Sequence, residues 1–425
     1  MKKTTSLLIL FFFSFPILKA QEFTAGIQIR PRFEYRNGFK TLLENEQEAA
    51  GFISQRSRLN LQYQEEKISV KLSMQNVRTW GDVPTVTTAD KNGIAIFEAF
   101  GQYNIQPGIF VRLGRQVLAY DNQRILGGLD WAQQGQSHDA LLFNLSSGGT
   151  HEFQLALGLN EDGEDLYEAP YLVNTYKNLQ MALYRFAAKN SGISLLVLNT
   201  GYETETAADE RKTQYLQTFG SYYSFISEKW SGDISLYGQT GKRNNQEIQG
   251  WYVGGNLNYM VTSAFTVGVG AEYISGTDSF EDMETSFSFT PLFGTNHGFN
   301  GFMDYFYVGN HFNSVGIQDY YGKFSFRLKN AELALVPHLF YTAAKLQEGI
   351  NNLDPYLGTE IDVVGSHRIS KSLTGSLGYS QMFGTNSLEF LKGGDADRIQ
   401  NWAWVMISFH PEVFTVRKEG KEIIK

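Results

Sequence analysis

Apolar and polar residues alternate with a period of two along many segments of this chain. Because successive side chains of a β-strand point to opposite faces, each such segment predicts a strand with one apolar and one polar face. The first example covers residues 23–36: its apolar face is Phe23, Ala25, Ile27, Ile29, Pro31, Phe33 and Tyr35, and its polar face is Thr24, Gly26, Gln28, Arg30, Arg32, Glu34 and Arg36.

The same alternation recurs in residues 253–259, 265–273 and 402–409. Strands of soluble β-sandwiches are commonly about 5–6 residues long and turn their large apolar side chains toward a core. A strand that crosses a membrane needs about 9–11 residues, a length that these segments match better. The pattern therefore predicts an all-β fold, a transmembrane antiparallel β-barrel with apolar side chains toward lipid and polar side chains toward a lumen.

The segments between these strands alternate between short and long. The short links lie at residues 64–66, 105–107, 147–150, 227–229, 261–262, 330–331 and 369–371, and the long polar stretches at 37–51, 79–93, 118–137, 161–176, 201–212 and 275–316. Outer-membrane barrels have short periplasmic turns and longer external loops. We therefore expect about eighteen strands with long extracellular loops, in which a strand over residues 399–409 closes the barrel against the first.

The chain begins like an exported protein. Residues 1–20 combine two early lysines, Lys2 and Lys3, with an apolar run and a small residue at the cleavage point, and this arrangement predicts a signal peptide. The apolar run is shorter than the roughly 20 residues that a membrane-spanning helix requires. The expected organisation is residues 1–20 as signal peptide, 21–410 as barrel and 411–425 as a charged periplasmic tail, in the outer membrane of a Gram-negative bacterium.

Composition narrows the possible chemistry. The chain has no cysteine, so disulfides, thiolate metal sites and cysteine nucleophiles are excluded. Removal of Lys2, Lys3 and Lys19 with the signal peptide takes the net charge from −8 to about −11, which argues against a nucleic-acid partner. The expected partners are outer-membrane lipid, an acidic substrate that a locally basic lumen could bind, and a periplasmic protein at the tail. The barrel is expected to be a monomer.

Basic side chains share the polar face of the first strands: Arg30, Arg32 and Arg36, then Arg56 and Arg58, then Lys71 and Arg112. A guanidinium stays charged and can pair with a carboxylate or phosphate through two parallel hydrogen bonds, so a ladder of arginines in a lumen favours anions. The alternative is that these cations simply satisfy Glu34, Glu98 and other acids, since buried charges must be paired in any barrel. Both interpretations can hold together.

Three motifs carry a resemblance to a known family. The first is Arg112-Leu113-Gly114-Arg115-Gln116, followed by Tyr120, Asp121, Gln123, Arg124, Trp131, Ser137, His138 and Asp139. The second is Pro291-Leu292-Phe293-Gly294-Thr295-Asn296-His297, leading to Gly301, Met303, Asp304, Tyr305 and Phe306, and the third is Gly378-Tyr379-Ser380. In this order the motifs resemble the alginate-export outer-membrane porins over nearly all of the mature chain.

The resemblance implies an eighteen-stranded barrel that passes an acidic polysaccharide through an electropositive constriction without chemical turnover. It assigns the pore lining to Arg30, Arg32, Arg56, Arg58, Arg112, Arg115 and Arg124, with Asp121 and Asp139 as acidic counterparts. We therefore expect a passive channel selective for an alginate-like polyuronate or another anionic glycan, with no catalytic residue and no cofactor.

The longest predicted connector, residues 275–316, exceeds the length of a simple link. It is expected either to fold inward as a plug or gate or to form an external lid. His297, Asp304 and His311 lie within it, but their spacing fits no metal-ligand motif and no metal is expected.

Other functions on the same barrel are a non-selective porin, an adhesin and an outer-membrane hydrolase. Ser137, His138 and Asp139 offer the residue types of a catalytic triad. Neighbouring residues of a strand point to opposite faces, however, so these three cannot form the relay by themselves. The hydrolase is therefore disfavoured.

Overall fold

A computed structural model describes residues 21–171, 173, 175–205, 211–280 and 284–418. The predicted signal peptide, residues 1–20, and the end of the tail, residues 419–425, lie outside the described residues.

Eighteen antiparallel strands form the barrel, each paired with the next one in the chain. They are β1 (Gln21–Asn37), β2 (Ala50–Glu65), β3 (Ile68–Thr79), β4 (Ala95–Gln106), β5 (Ile109–Gln116), β6 (His138–Ser147), β7 (His151–Leu159), β8 (Asn178–Ala187), β9 (Ser191–Glu205), β10 (Arg211–Ile226), β11 (Trp230–Arg243), β12 (Gln246–Thr262), β13 (Phe265–Ile274), β14 (Ile317–Arg327), β15 (Ala331–Tyr341), β16 (Tyr356–Ser370), β17 (Leu373–Gly384) and β18 (Gln400–Phe409). The barrel closes because β18 pairs with β1, for example at Val405 opposite Phe33. The predicted fold class is confirmed.

Apolar side chains cover the outside of this barrel. On β1, Ile29 and Phe33 are more than 40% exposed, whereas Arg30 and Arg32 between them are buried. An apolar outer face combined with a polar inner face is the arrangement of a barrel that sits in lipid. Among the described residues, no helix combines the length and the hydropathy needed to cross a bilayer.

The connectors differ between the two ends of the barrel. At one end, which we call the turn end, they are residues 66–67, 107–108, 148–150, 188–190, 227–229, 263–264, 328–330 and 371–372. At the other, the loop end, they are residues 38–49, 80–94, 117–137, 160–177, 206–210, 244–245, 275–316, 342–355 and 385–399. The stretch predicted at 201–212 is shorter than expected, because β9 and β10 extend into it. The extracellular position of the loop end stays a prediction.

A few short elements lie within the loop-end connectors. They are the strands Thr285–Ser286, Gln347–Glu348 and Asn351–Asn352, the 3₁₀-helix Val308–Asn310 and the α-helix α1 (Asn386–Lys392).

The barrel does not end at residue 410, and the predicted boundary is corrected here. A further strand, β19 (Glu412–Lys418), pairs with residues 21–26 of β1. The reason is that β18 is shorter than β1 and would leave one edge of the first half of β1 unpaired, since β2 covers only the other edge. Unpaired backbone N–H and C=O groups are costly at a membrane. Pro411 has no N–H to donate and interrupts the strand, but its carbonyl accepts a hydrogen bond from the Ile27 N–H at 3.1 Å.

Two loop-end connectors fold into the lumen, and we call them L3 (residues 117–137) and L7 (residues 275–316, of which 275–280 and 284–316 are described). They meet where the Gly127 N–H donates to the Phe293 carbonyl at 2.9 Å. They also meet where the Trp131 ring stacks on His297 with 4.0 Å between centroids. Of the two arrangements expected for residues 275–316, the inward one is observed, since Tyr305 and Met303 are fully buried.

Candidate functional site in the barrel lumen

Four arginines from two neighbouring strands converge on one part of the lumen wall. Arg30 and Arg32 come from β1, and Arg56 and Arg58 from β2, with Arg30 directly opposite Arg56 in the strand register. All four side chains are buried. We call this set the arginine cluster. It exists because even-numbered positions of both strands face inward, so the pairing of β1 with β2 stacks the guanidinium groups together.

L3 lies directly against the arginine cluster. The Arg30 Nη2 donates to the Asp130 carbonyl at 2.7 Å, and the Arg32 Nη1 donates to the Trp131 carbonyl at 2.6 Å. The Arg30 Nε also donates to Oε1 of Gln133 at 3.1 Å. In addition, the Arg32 guanidinium lies 3.9 Å from the centroid of the Trp131 ring, a cation–π contact. The arginines thus hold L3 at the wall largely through neutral groups.

Asp130 supplies a carboxylate to the cluster. Its Oδ2 lies 3.2 Å from Nη1 of Arg30, and its Oδ1 lies 2.9 Å from Nη2 of Arg56. Partial desolvation raises the pKa of the Asp130 carboxyl, but Arg56 and Arg30 lower it more, so the pKa lies below its usual value. Asp130 is therefore ionised at neutral pH.

Only some of the other hydrogen-bond donors of the arginine cluster have a partner. Both Nε and Nη2 of Arg58 donate to Oε1 of Gln75, and its guanidinium lies 3.6 Å from the centroid of the Phe97 ring. Nε and Nη1 of Arg56 are buried and have no hydrogen-bond partner. Oε1 of Glu34 lies 2.8 Å from Nη2 of Arg32, so two carboxylates, those of Asp130 and Glu34, pair with the four guanidinium groups and the cluster remains positive.

A second polar region joins L3 to L7 and to β13. The Arg124 Nη2 donates to Oε2 of Glu272 at 2.8 Å and to Oδ1 of Asn300 at 2.7 Å. Further along the wall, Glu360 of β16 accepts a hydrogen bond from the Met303 N–H of L7 at 2.7 Å. Lumenal carboxylates therefore fix the inward loops, just as the arginines do on β1 and β2.

The structure brings together some of the sequence-predicted site residues and separates others. Arg30, Arg32, Arg56 and Arg58 form the cluster. Arg112 faces the lumen from β5 and binds Oε1 of Gln102 through two hydrogen bonds. Arg124 lies inside the barrel in its contact with Glu272. Asp121 also lies inside, where it accepts a hydrogen bond from Ser194 at 2.7 Å and lies 3.4 Å from Arg185.

Arg115 and Asp139 do not join the lumenal set. They form an ion pair with 2.6 Å between Nη1 and Oδ2, and both side chains are exposed. On β5, Arg115 shares its face with Leu113, which is 63% exposed on the outside of the barrel. The expectation that they line the pore is corrected, because their position in the period-two pattern points them outward.

Sequence reasoning missed Asp130, Gln133 and Gln75. Gln75 lies on the lumenal face of β3, and strand parity could have identified it. Asp130 and Gln133 belong to L3, and an irregular loop has no periodicity that relates a residue to the barrel wall. The neighbouring Trp131 was a motif residue, but nothing in the sequence indicated that L3 would reach β1 and β2.

The arrangement gives no geometric support to metal binding or a triad. His297 and Asp304 are 3.6 Å apart, whereas His311 binds the Phe306 carbonyl instead. No group of three or more potential metal ligands occurs within the described part of the chain. His138 faces inward and contacts the Tyr176 hydroxyl at 2.9 Å, whereas Asp139 points outward.

Comparisons with solved structures agree with the fold. The barrel is similar to Pseudomonas aeruginosa OpdL, with a TM-score of 0.63 and 11% identity over 92% of this chain and 99% of that one. It is also similar to the Pseudomonas aeruginosa outer membrane protein OpdK (TM-score 0.62, 9% identity, 93% and 99% covered). Acinetobacter baumannii OccAB4 gives a TM-score of 0.62 with 10% identity, over 94% and 99% of the two chains.

A search of curated protein sequences found no significant match. The sequence profile of the Alginate export family, however, matches residues 21–399. Family and fold are those of outer-membrane channels, and they place the protein in the Gram-negative outer membrane. This chain, an eighteen-stranded outer-membrane barrel with two loops folded into its lumen, thus belongs to the Alginate export family.

Proposed function

We propose that the protein is a passive outer-membrane channel selective for an anionic polysaccharide, an alginate-like polyuronate, and that the arginine cluster is its selectivity site. The observation that carries the proposal is the convergence of Arg30, Arg32, Arg56 and Arg58 on one part of the lumen wall, against which L3 packs. Each repeating unit of a polyuronate carries one carboxylate, the group that guanidinium binds best.

The charge balance of the cluster supports this function. Within the described residues, the four arginines form ion pairs with two carboxylates: Asp130 pairs with Arg30 and Arg56, and Glu34 pairs with Arg32. A positive lumen wall raises the local concentration of a polyanion and favours its entry. The family name adds independent support for an alginate-like substrate.

Arg58 is the best residue for a direct test, because its guanidinium binds the neutral Gln75 and is not engaged by an acid. In planar lipid bilayers, we expect a purified oligomannuronate to block the current of the wild-type channel. Arg58→Gln should weaken the block about tenfold, the effect of losing one favourable charge contact of about 1.4 kcal/mol. In a salt gradient, the reversal potential of Arg58→Gln should also shift in the direction that indicates weaker selectivity for anions over cations.

Arg115→Gln is the matched control. It removes the same charge from the same type of residue, but on the outer face of β5, and it should leave both readouts unchanged. Neutral dextran of the same size should affect the current of wild type and of both variants equally. A current that oligomannuronate never affects would identify a non-selective porin, release of new reducing ends would identify a hydrolase, and the absence of any conductance would favour an adhesin.

A further inference from the structure

The Asp130 carboxylate binds the arginine cluster as a carboxylate of the substrate would. Each of its two oxygens binds a different guanidinium, Arg30 at 3.2 Å and Arg56 at 2.9 Å. A uronate carries the same functional group, so the two anions compete for the same donors.

Asp130 differs from its partners in accessibility. Its side chain is 76% exposed, whereas those of Arg30 and Arg56 are 5% and 1% exposed. The Arg30 and Arg56 guanidinium groups are thus fixed in the barrel wall, whereas the Asp130 carboxylate that binds them belongs to L3 and is exposed. An incoming carboxylate can therefore approach from the lumen side on which Asp130 lies.

The other anchors of L3 do not depend on this carboxylate. The Asp130 and Trp131 carbonyls bind Arg30 and Arg32, and the Gln133 side chain donates to the Arg30 carbonyl at 3.3 Å. Arg124 fixes a separate part of the loop. Release of the Asp130 carboxylate thus leaves L3 attached, so exchange requires the movement of one side chain only.

The cluster also has spare donors for an exchange. Nε and Nη1 of Arg56 are buried without a partner, although the side chain is almost fully buried. The hydrogen bond to Asp130 is therefore the only one that the Arg56 guanidinium makes within the described residues.

We propose that Asp130 is a tethered competitor for the substrate carboxylate: it occupies the Arg30–Arg56 pair in the empty channel and is exchanged for a carboxylate of the passing polymer. The inference rests on the proposed function and adds a specificity-determining residue to it. Conduction requires binding that is strong enough for entry and weak enough for exit. A built-in carboxylate supplies that balance, because a tethered group acts at a high effective concentration and lowers the apparent affinity for a free one.

The test compares wild-type channel, Asp130→Asn and Asp130→Glu in planar bilayers, with oligomannuronate as the blocker. Asparagine keeps the size of the side chain but removes the competing charge, so we expect its apparent Kd for block to be about tenfold lower, as for a site that is occupied nine-tenths of the time. Asp130→Glu keeps the charge and should remain close to wild type. Asp139→Asn, which removes the same group from the outer face, should also match wild type.

The outcomes separate the two hypotheses. If wild type is blocked but Asp130→Asn is blocked no more tightly, or less tightly, the competitor role is wrong and the proposed function stands. If Asp130→Asn and Asp130→Glu both tighten the block, the loop and not its charge is responsible, and the competitor role is again wrong. If no variant is blocked, the proposed function fails and the competitor role fails with it. Heat-modifiable mobility on gels checks that each variant is a folded barrel.

Discussion

Single residues in this barrel act according to the face of the strand on which they lie. Arg58 and Arg115 are both strand arginines, but one binds Gln75 in the lumen and the other pairs with Asp139 on the outside. The surroundings of an arginine therefore determine its role more than its presence in a motif does. Arg124 differs from both, since it forms an ion pair with the buried Glu272 and thereby attaches L3 to the barrel wall.

At this scale we predict that Arg124→Met destabilises the barrel by about 3 kcal/mol, because it leaves Glu272 as an unpaired buried charge. Urea unfolding in detergent micelles measures the loss. The double variant Arg124→Met/Glu272→Gln should regain most of the stability, because neither charge is then left alone. Equal losses in the single and double variants would contradict the explanation.

Among the structural elements, L3 connects three separate parts of the lumen. It contacts the arginine cluster through Asp130, L7 through Trp131 and β13 through Arg124. The position of L3 in the lumen thus depends on side-chain contacts of an irregular loop and not on strand pairing. Such contacts open more easily than a strand ladder does.

The ionisation of Asp130 predicts how L3 responds to acid. Its pKa is lowered by Arg56 and Arg30, so its contribution to L3 docking is fully present above the usual carboxyl pKa of about 3.9 and is lost as the pH falls through the lowered value. Current fluctuations in bilayers should be unchanged between pH 7 and about pH 5 and should increase in stronger acid. Asp130→Asn should lack this acid-dependent component. An onset above about pH 5 in wild type would point to a different group.

For the whole molecule, closure is the property that makes a membrane barrel possible. Each of the eighteen strands β1–β18 has two neighbours, and β19 continues the pairing of β18 along the first residues of β1. Closure removes the unpaired edge that an open sheet would expose to lipid. Residues 412–418 thus belong to the barrel wall.

Truncation after His410 should therefore destabilise the barrel, because it leaves residues 21–26 of β1 without a partner on one side. The temperature at which the compact form is lost on heat-modifiability gels measures the effect, and we expect it to fall by several degrees. Truncation after Lys418 is the control, since it keeps β19 and should leave that temperature unchanged. If both truncations behave like the full chain, β19 contributes nothing to closure.

The sequence by itself determined the class of fold and the orientation of most strand residues. Alternation with a period of two is a local property, so it identified the lumenal faces of β1 and β2 and placed Arg30, Arg32, Arg56 and Arg58 on them. The same parity, applied along β5, also separates Arg112 from Arg115, although the motif grouped the two together. Neighbouring strands pair in chain order, which made the arginine cluster predictable before any contact was known.

The tertiary structure alone decided where the loops go. No periodicity relates L3 to the wall, so the contacts of Asp130 with Arg30 and Arg56 depend on how the loop packs inside the closed barrel. The pairing of β19 with β1 has the same origin, because the need for it arises only when the lengths of β1 and β18 are compared in the assembled sheet. Local patterns follow from the alternation of side chains along a strand, whereas these contacts join residues 74 or more positions apart and follow from closure and packing.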